Sequence, residues 1–157
     1  MIKGDREVAL GLIRDQQFGP SVMFGLGGIF TEVLEDVVFR IAPLRKRDAL
    51  DMIRGIRAHK LLNAIRGMPA VDVSALSASI VALGTIGINH PEVEQIDGNP
   101  MIVQGADPIA VDALIVLGGV NTQLHGSLHV RAAPGTPMAD VLLNMLRPLG
   151  HEDLQSF

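Results

Sequence analysis

The chain contains no cysteine, no tryptophan and no tyrosine, and only 5 phenylalanines in 157 residues. Without cysteine there is no disulfide framework, no thiolate nucleophile and no Cys-based zinc site. So few aromatic rings leave no platform for stacking bases and no cage for a cation. Positive charge is not in excess either: 13 Lys+Arg face 17 Asp+Glu, a formal net charge of −4. A nucleic-acid-binding module would present a clustered basic face, so no nucleic-acid partner is expected. No apolar run reaches the ~20 residues a bilayer requires. Ile80–Ile88 is too short, and Ile109–Val120 is interrupted by Asp112. The opening Met1-Ile2-Lys3-Gly4-Asp5-Arg6-Glu7 is charged, unlike a signal peptide. The expectation is a soluble, cytoplasmic chain with no membrane partner.

What is present is apolar and globular in balance, with 48% hydrophobic and 19% charged residues, which excludes a disordered or collagen-like chain. Val8–Ile13 and Ser21–Phe24 read as short strands joined by the turn Asp15-Gln16-Gln17-Phe18-Gly19-Pro20. Gly25-Leu26-Gly27-Gly28 follows, then an apolar stretch carrying Glu32, then a β-branched strand Val37–Ala42 closed by Pro43. Ala49, Met52, Ile53 and Ile56 recur at helical spacing, which predicts a helix over Lys46–Ala58. Its start is poorly capped, since Arg45-Lys46-Arg47 meets the positive end of the helix dipole with only Asp48 in compensation. Arg66-Gly67-Met68-Pro69 is a turn, and Asp72 is a good N-cap for a second helix running through Leu76, Ile80 and Leu83 towards Asn89.

Val93–Leu117 carries the most information. A reversal at Gln104-Gly105-Ala106-Asp107 makes a hairpin whose paired positions share a constant sum, placing Asn99 opposite Asp112. Asp97 then lies one same-face step from Asn99. The other face collects Ile96, Ile102, Ile109, Val111, Ala113 and Ile115 as core. Pro100 and Pro108 are the weak points, because each removes a ladder donor. His125–Ala133 has no clear period. Thr136-Pro137 then starts a helix over about 137–147, with Met138, Val141, Leu142 and Met145 in spacing until Pro148. The domain reading is one unit over 1–117 and a tail over 118–157.

Asp97, Asn99 and Asp112 offer two carboxylates and an amide oxygen, hard ligands of the kind that suit Mg²⁺ beside substrate phosphates. Asp112 sits within the apolar run Ile109–Ile115 and requires compensation for desolvation. The competing reading is a strand end and an isolated solvated acid. Gly25, Gly27 and Gly28 could let backbone amides approach phosphate oxygens, although the run fits neither the P-loop nor the dinucleotide fingerprint and, taken alone, is better explained by a tight turn with no ligand. Arg14 and Arg40, each at a strand end, are candidate phosphate cations or ordinary surface charges. The five histidines form no triad, and the His125/His129 spacing is spoiled for a helical metal pair by Gly126-Ser127. No catalytic residue is assigned.

Arg14–Phe30 resembles the ATP-grasp domain of the ADP-forming acyl-CoA synthetase family. Further similar stretches are Glu32-Val33-Leu34, Phe39–Leu44, Arg66-Gly67 with Pro69 and Asp72, Asp97–Val103, and Ala110–Ala113. The resemblance spans about residues 5–117. It implies an acid–thiol ligase that interconverts acyl-CoA, ADP and phosphate with free acid, CoA and ATP by way of a phosphohistidine. It also implies a Mg²⁺ site at Asp97, Asn99 and Asp112, and a nucleotide site near Gly25, Gly27, Gly28 and Glu32. Gln95, Gly98, Leu114 and Arg45 depart from the family pattern.

The fold this implies is α+β: a two-layer ATP-grasp half-domain, a mostly antiparallel sheet with helices on one face. The implied partners are nucleotide, the missing ATP-grasp half, a CoA-ligase subunit or domain, and a second copy covering apolar surface. Two alternatives remain open: a non-catalytic remnant or interaction subunit of the same fold, and the ATP-grasp tail of a protein acetyltransferase. Neither the acyl substrate nor the choice of ATP or GTP is legible.

Overall fold

The computed structural model describes residues 6–28, 35–65, 67–104, 106–110, 113–118 and 127–130. Its organising element is β1 (Arg6–Asp15), whose run Val8-Ala9-Leu10-Gly11-Leu12 is buried throughout. A strand buried so completely must have a neighbour on each side. β2 (Gly19–Leu26) pairs with it antiparallel on one side and β4 (Val93–Gln104) on the other. The turn into β2 is held by Asp15, whose Oδ1 accepts from the N–H groups of Gln17 and Phe18 at 2.8 and 2.9 Å. Gly19 closes that turn at φ +78°, a conformation that costs glycine little.

β3 (Val37–Ile41) pairs with β2, and β4 turns back through β5 (Asp107–Ala110) and β6 (Ala113–Leu117). β7 (Ser127–Val130) adds to β6. The sheet runs β3-β2-β1-β4-β6-β7, with β5 also on β4 and every pair antiparallel. The sequence predicts no strand at β7, where the apolar alternation is too weak to read.

Two α-helices among the described residues, α1 (Lys46–Gly55) and α2 (Val73–Asn89), pack on one face of this sheet. Asp72 caps α2 as its sequence suggests: its side chain accepts from the N–H groups of Ser74 and Ala75 at 2.8 and 3.0 Å. α2 carries no charged residue along its length, and Leu76, Ile80, Leu83 and Ile86 are buried. The start of α1 is better served than its sequence suggests, because the Arg45 N–H donates to Asp48 Oδ2 at 2.9 Å. α1 ends at Gly55 rather than continuing to Ala58. Ile56 turns extended, and the N–H groups of Arg57 and Ala58 donate instead to the buried Asp36 carboxylate at 2.7 and 2.8 Å. A short 3₁₀ turn, His59–Leu62, follows.

The core lies between helices and sheet. Val8, Leu10, Leu12, Val22, Phe24 and Ile96 from the strands meet Met52, Ile53, Ile56, Leu76, Ile80 and Leu83. This is the α+β two-layer half-domain expected from the sequence. The tail helix expected over about 137–147 lies outside the described residues.

Candidate functional site

The hairpin register is the one that the sequence predicts. Gln104 pairs with Asp107, Val103 with Pro108, Ile102 with Ile109 and Met101 with Ala110. Beyond, Asp97 pairs with Leu114, Ile96 with Ile115 and Gln95 with Val116, all on the same constant sum. Asp112 lies outside the described residues.

The expected division of faces holds only for the inner half of the hairpin. Ile96, Ala113 and Ile115 are buried, as is Ile109, but Ile102 is only half-buried while Met101, Val103 and Ala110 are covered. The cause is at Asn99-Pro100. Val8 pairs with Met101 and Leu10 with Gly98, so the β1 partner register shifts across that dipeptide. Pro100 has no N–H to offer the ladder, two residues fill the step between buried Gly98 and buried Met101, and the inward parity changes.

Asp97 faces away from the helices. It sits opposite Gly11 on β1, which pairs with Met23 on β2, which pairs with Phe39 on β3. That cross-strand row belongs to the open face of the sheet, because the alternate positions Leu10, Leu12, Val22 and Phe24 are the ones buried in the core. Asp97 is half-buried and Asn99 exposed. Ala9, between the β1 residues that pair with Gly98 and Met101, pairs on its other side with Gly25. The start of the glycine run therefore lies at the same end of the sheet as Asn99, two strands or ~10 Å away.

The glycines have a packing reason to be there. A Cβ on Gly25 would meet Val37 Cγ1 at 2.7 Å and Asp36 O at 2.9 Å, and one on Gly27 would meet Glu7 Cβ at 2.9 Å and the Glu7 carbonyl carbon at 3.1 Å. The Gly27 N–H donates to Glu7 O at 2.8 Å. Gly28 lies at φ +64°. Glu32 lies outside the described residues.

The two arginines go elsewhere. Arg14 Nε donates to Val93 O at 2.9 Å, and Arg14 Nη2 donates to Gly87 O at 2.7 Å and His90 O at 2.9 Å. Its guanidinium thereby ties the end of α2 to the start of β4, at the far end of β1 from the glycine run. Arg40 pairs with Val22, a core-facing position, and its Nη1 lies 3.4 Å from Asp48 Oδ1 of α1. Both arginines therefore belong to the helix side of the sheet, opposite Asp97. Sequence reasoning also gives no role to Arg6 or Asp36. Arg6 Nη1 donates to Leu61 O at 3.1 Å and Asn63 O at 2.9 Å, and its Nη2 donates to Pro69 O. A lone Arg or Asp in sequence carries no signal of such long-range backbone anchoring.

Among the described residues no three His, Cys, Asp or Glu side chains converge on a metal position. No described helix is long and apolar enough to cross a membrane. The titration of Asp15 is clearly displaced: the N–H groups of Phe18 and then Gln17 hold its carboxyl below the ordinary 3.8.

An antiparallel sheet backed by helices on one side, with an acid and a glycine run on the other, matches a known domain. The family model for the ATP-grasp domain covers residues 1–117. The chain belongs to that family.

Within it, the relatives include several ADP-forming acetate–CoA ligases. The β subunit of acetate–CoA ligase (ADP-forming) I from Pyrococcus furiosus is 50% identical over 117 residues, 74% of this chain and 50% of that subunit. Acetate–CoA ligase (ADP-forming) I of Archaeoglobus fulgidus is 41% identical over 118 residues, 75% of this chain and 17% of that protein. Among solved structures, Candidatus Korarchaeum cryptofilum acetyl-coenzyme A synthetase 1 with coenzyme A and Mg-AMPPCP superposes with TM-score 0.70 at 45% identity, covering 75% of this chain and 55% of that one. The chain thus spans about half the length of the β subunit it matches, and far less of the Archaeoglobus ligase.

Proposed function

We propose that this chain is the nucleotide- and Mg²⁺-binding part of an ADP-forming acyl-CoA synthetase, which converts acyl-CoA, ADP and phosphate to acid, CoA and ATP through a phosphohistidine held on another domain or subunit. The observation that carries this reading is the position of Asp97. It stands on the face of the sheet away from the helices, two positions along β4 from the exposed Asn99, which lies level with the start of the glycine run. The donors are a carboxylate and an amide oxygen, with a second carboxylate at Asp112, and this all-oxygen set fits Mg²⁺ rather than a softer metal. Bound there, the ion would neutralise charge on phosphate oxygens. Gly25, Gly27 and Gly28 would let the backbone approach the same phosphates, with the Gly27 N–H itself committed to Glu7 O, and Glu32 lies just beyond them in sequence. Arg14 and Arg40 are not part of this set, because both serve the helix side. The relatives are ligases, and the Korarchaeum neighbour was solved with a magnesium nucleotide analogue, which supports the same assignment.

Phosphoryl-transfer sites act mainly by positioning and charge neutralisation, and an ATP-grasp site clamps its nucleotide between two halves. By itself this half supplies metal and phosphate contacts without an adenine pocket. The isolated chain is therefore inactive and binds Mg·ATP at millimolar concentration or not at all. Its partners are a complementary ATP-grasp half, a CoA-ligase domain or subunit, and a second copy of itself. Titration with Mn²⁺ tests the site: weak binding to the wild type, abolished in Asp112→Ala with the circular dichroism spectrum unchanged, is the expected result. Unchanged affinity in Asp112→Ala removes the assignment. A micromolar Kd for Mg·ATP contradicts the half-site account.

A further inference from the structure

β3 is the outermost strand on its side of the sheet. The Ala42 N–H donates to Pro20 O at 2.8 Å, which fixes the hydrogen-bonding phase of the β2–β3 ladder. In that phase Val38 and Arg40 exchange bonds with β2, and the N–H and C=O groups of Phe39 and Ile41 point outward. Among the described residues nothing takes them up. The one charge in the strand, Arg40, lies on the helix side in an ion pair with Asp48, and the side chains on the other face are apolar: Phe39 is 57% and Ile41 49% exposed. Soluble proteins blunt such edges with inward charges, bulges or covering loops, and an uncovered apolar edge is a template for another strand.

We infer that the β3 edge is the contact between two copies of this chain, paired antiparallel about a two-fold axis through Phe39. In this arrangement Phe39 pairs with its own copy, and the Ile41 N–H of each protomer reaches the Val37 C=O of the other, the Val37 N–H being held by Glu35 O at 3.0 Å. The charge along the strand selects a second copy as occupant. Exposed Glu35 precedes the strand, and exposed Arg45, Lys46 and Arg47 follow it just past Pro43. Antiparallel self-pairing brings the acidic end of each copy to the basic end of the other at both ends of the junction. An isologous contact of this kind closes after two subunits instead of growing into a fibre. The inference rests on the self-association reading above and adds the surface; it is independent of the metal site.

The absence of cysteine makes the test clean, because a single introduced thiol can bridge only to its own copy. In the proposed register the two Phe39 Cα atoms lie ~5.5 Å apart, inside the ~4.4–6.8 Å window of a disulfide. The full chain is examined by light scattering over a concentration series, and then Phe39→Cys and Phe18→Cys are oxidised under identical conditions. Phe18 is the control: it is 64% exposed, in the β1–β2 turn. The expected results are a dimer of the wild type, near-complete covalent dimer for Phe39→Cys, and at least tenfold slower bridging for Phe18→Cys. A wild-type dimer with no preference for position 39 overturns the β3 contact and leaves self-association standing. A monomer at all concentrations overturns both, and leaves the edge to a strand from a different protein.

Discussion

The two faces of this sheet are built from the same strands, residue by residue in alternation, yet they differ in almost every physical respect. Towards the helices, Leu10, Leu12, Val22, Phe24 and Ile96 are buried against Met52, Ile56, Leu76 and Leu83. Even the arginines on that side are committed, Arg14 to three backbone carbonyls and Arg40 to Asp48. Away from the helices lie Gly11, Met23, Phe39 and Asp97, a mixed row with a glycine at its centre. The difference teaches how a half-domain divides its work. One face carries the hydrophobic stabilisation of the fold, and the other carries the polar and half-exposed residues on which the proposed function rests.

Substitutions that respect this division should separate cleanly. Phe24→Ala, deep on the helix side, should destabilise by about 4 kcal/mol, a large share of the ~5–15 kcal/mol that holds a typical domain together. Chemical denaturation would show the loss. A drop no larger than that of an exposed-face change such as Ile41→Ala would break the comparison. Arg14→Ala should cost about 2 kcal/mol, because the carbonyls of Gly87, His90 and Val93 lose a charged donor together. Hydrogen exchange would then show opening concentrated at the last turn of α2 and the start of β4. Metal affinity should not change.

A smaller effect is expected at the β1–β2 turn. The Asp15 carboxyl titrates below 3.8 because the N–H groups of Phe18 and Gln17 favour its charged form. A group with a depressed folded-state value stabilises above its unfolded value and loses that contribution as pH falls through the folded one. Asp15→Asn should therefore be slightly less stable than the wild type at neutral pH. The gap should close in acid, below the ordinary carboxylate range. Melting curves of the two proteins from neutral to strongly acidic pH give the comparison, and a pH-independent gap would show that the turn is held by other means.

Much of this arrangement is legible in sequence where the signal is local. Asp72 reads as an N-cap, and a cap is decided within three residues. The hairpin register follows from its turn, and β4, β5 and β6 keep it as far as Gln95, beyond which the ladder slips by one to pair Val93 with Leu117. The switch of buried face at Asn99-Pro100 is not legible, because it depends on how β1 pairs with β4 from nearly ninety positions away along the chain. The same is true of Asp36, whose carboxylate meets N–H groups at Arg57 and Ala58 only after β3 and α1 have packed. For the candidate site, alternation alone puts Asp97 and Asn99 on one side of a strand. That Arg14 and Arg40 belong to the opposite side follows only from tertiary pairing.

The central claim is that the open face binds metal and nucleotide phosphates while the helix side maintains the fold. Electron paramagnetic resonance of Mn²⁺ with the wild type, Asp97→Ala and Arg14→Ala tests it most directly, with thermal melting run on the same samples. The account predicts that Asp97→Ala loses Mn²⁺ binding and stays folded, while Arg14→Ala melts lower and binds Mn²⁺ like the wild type. Full Mn²⁺ binding by folded Asp97→Ala would contradict it.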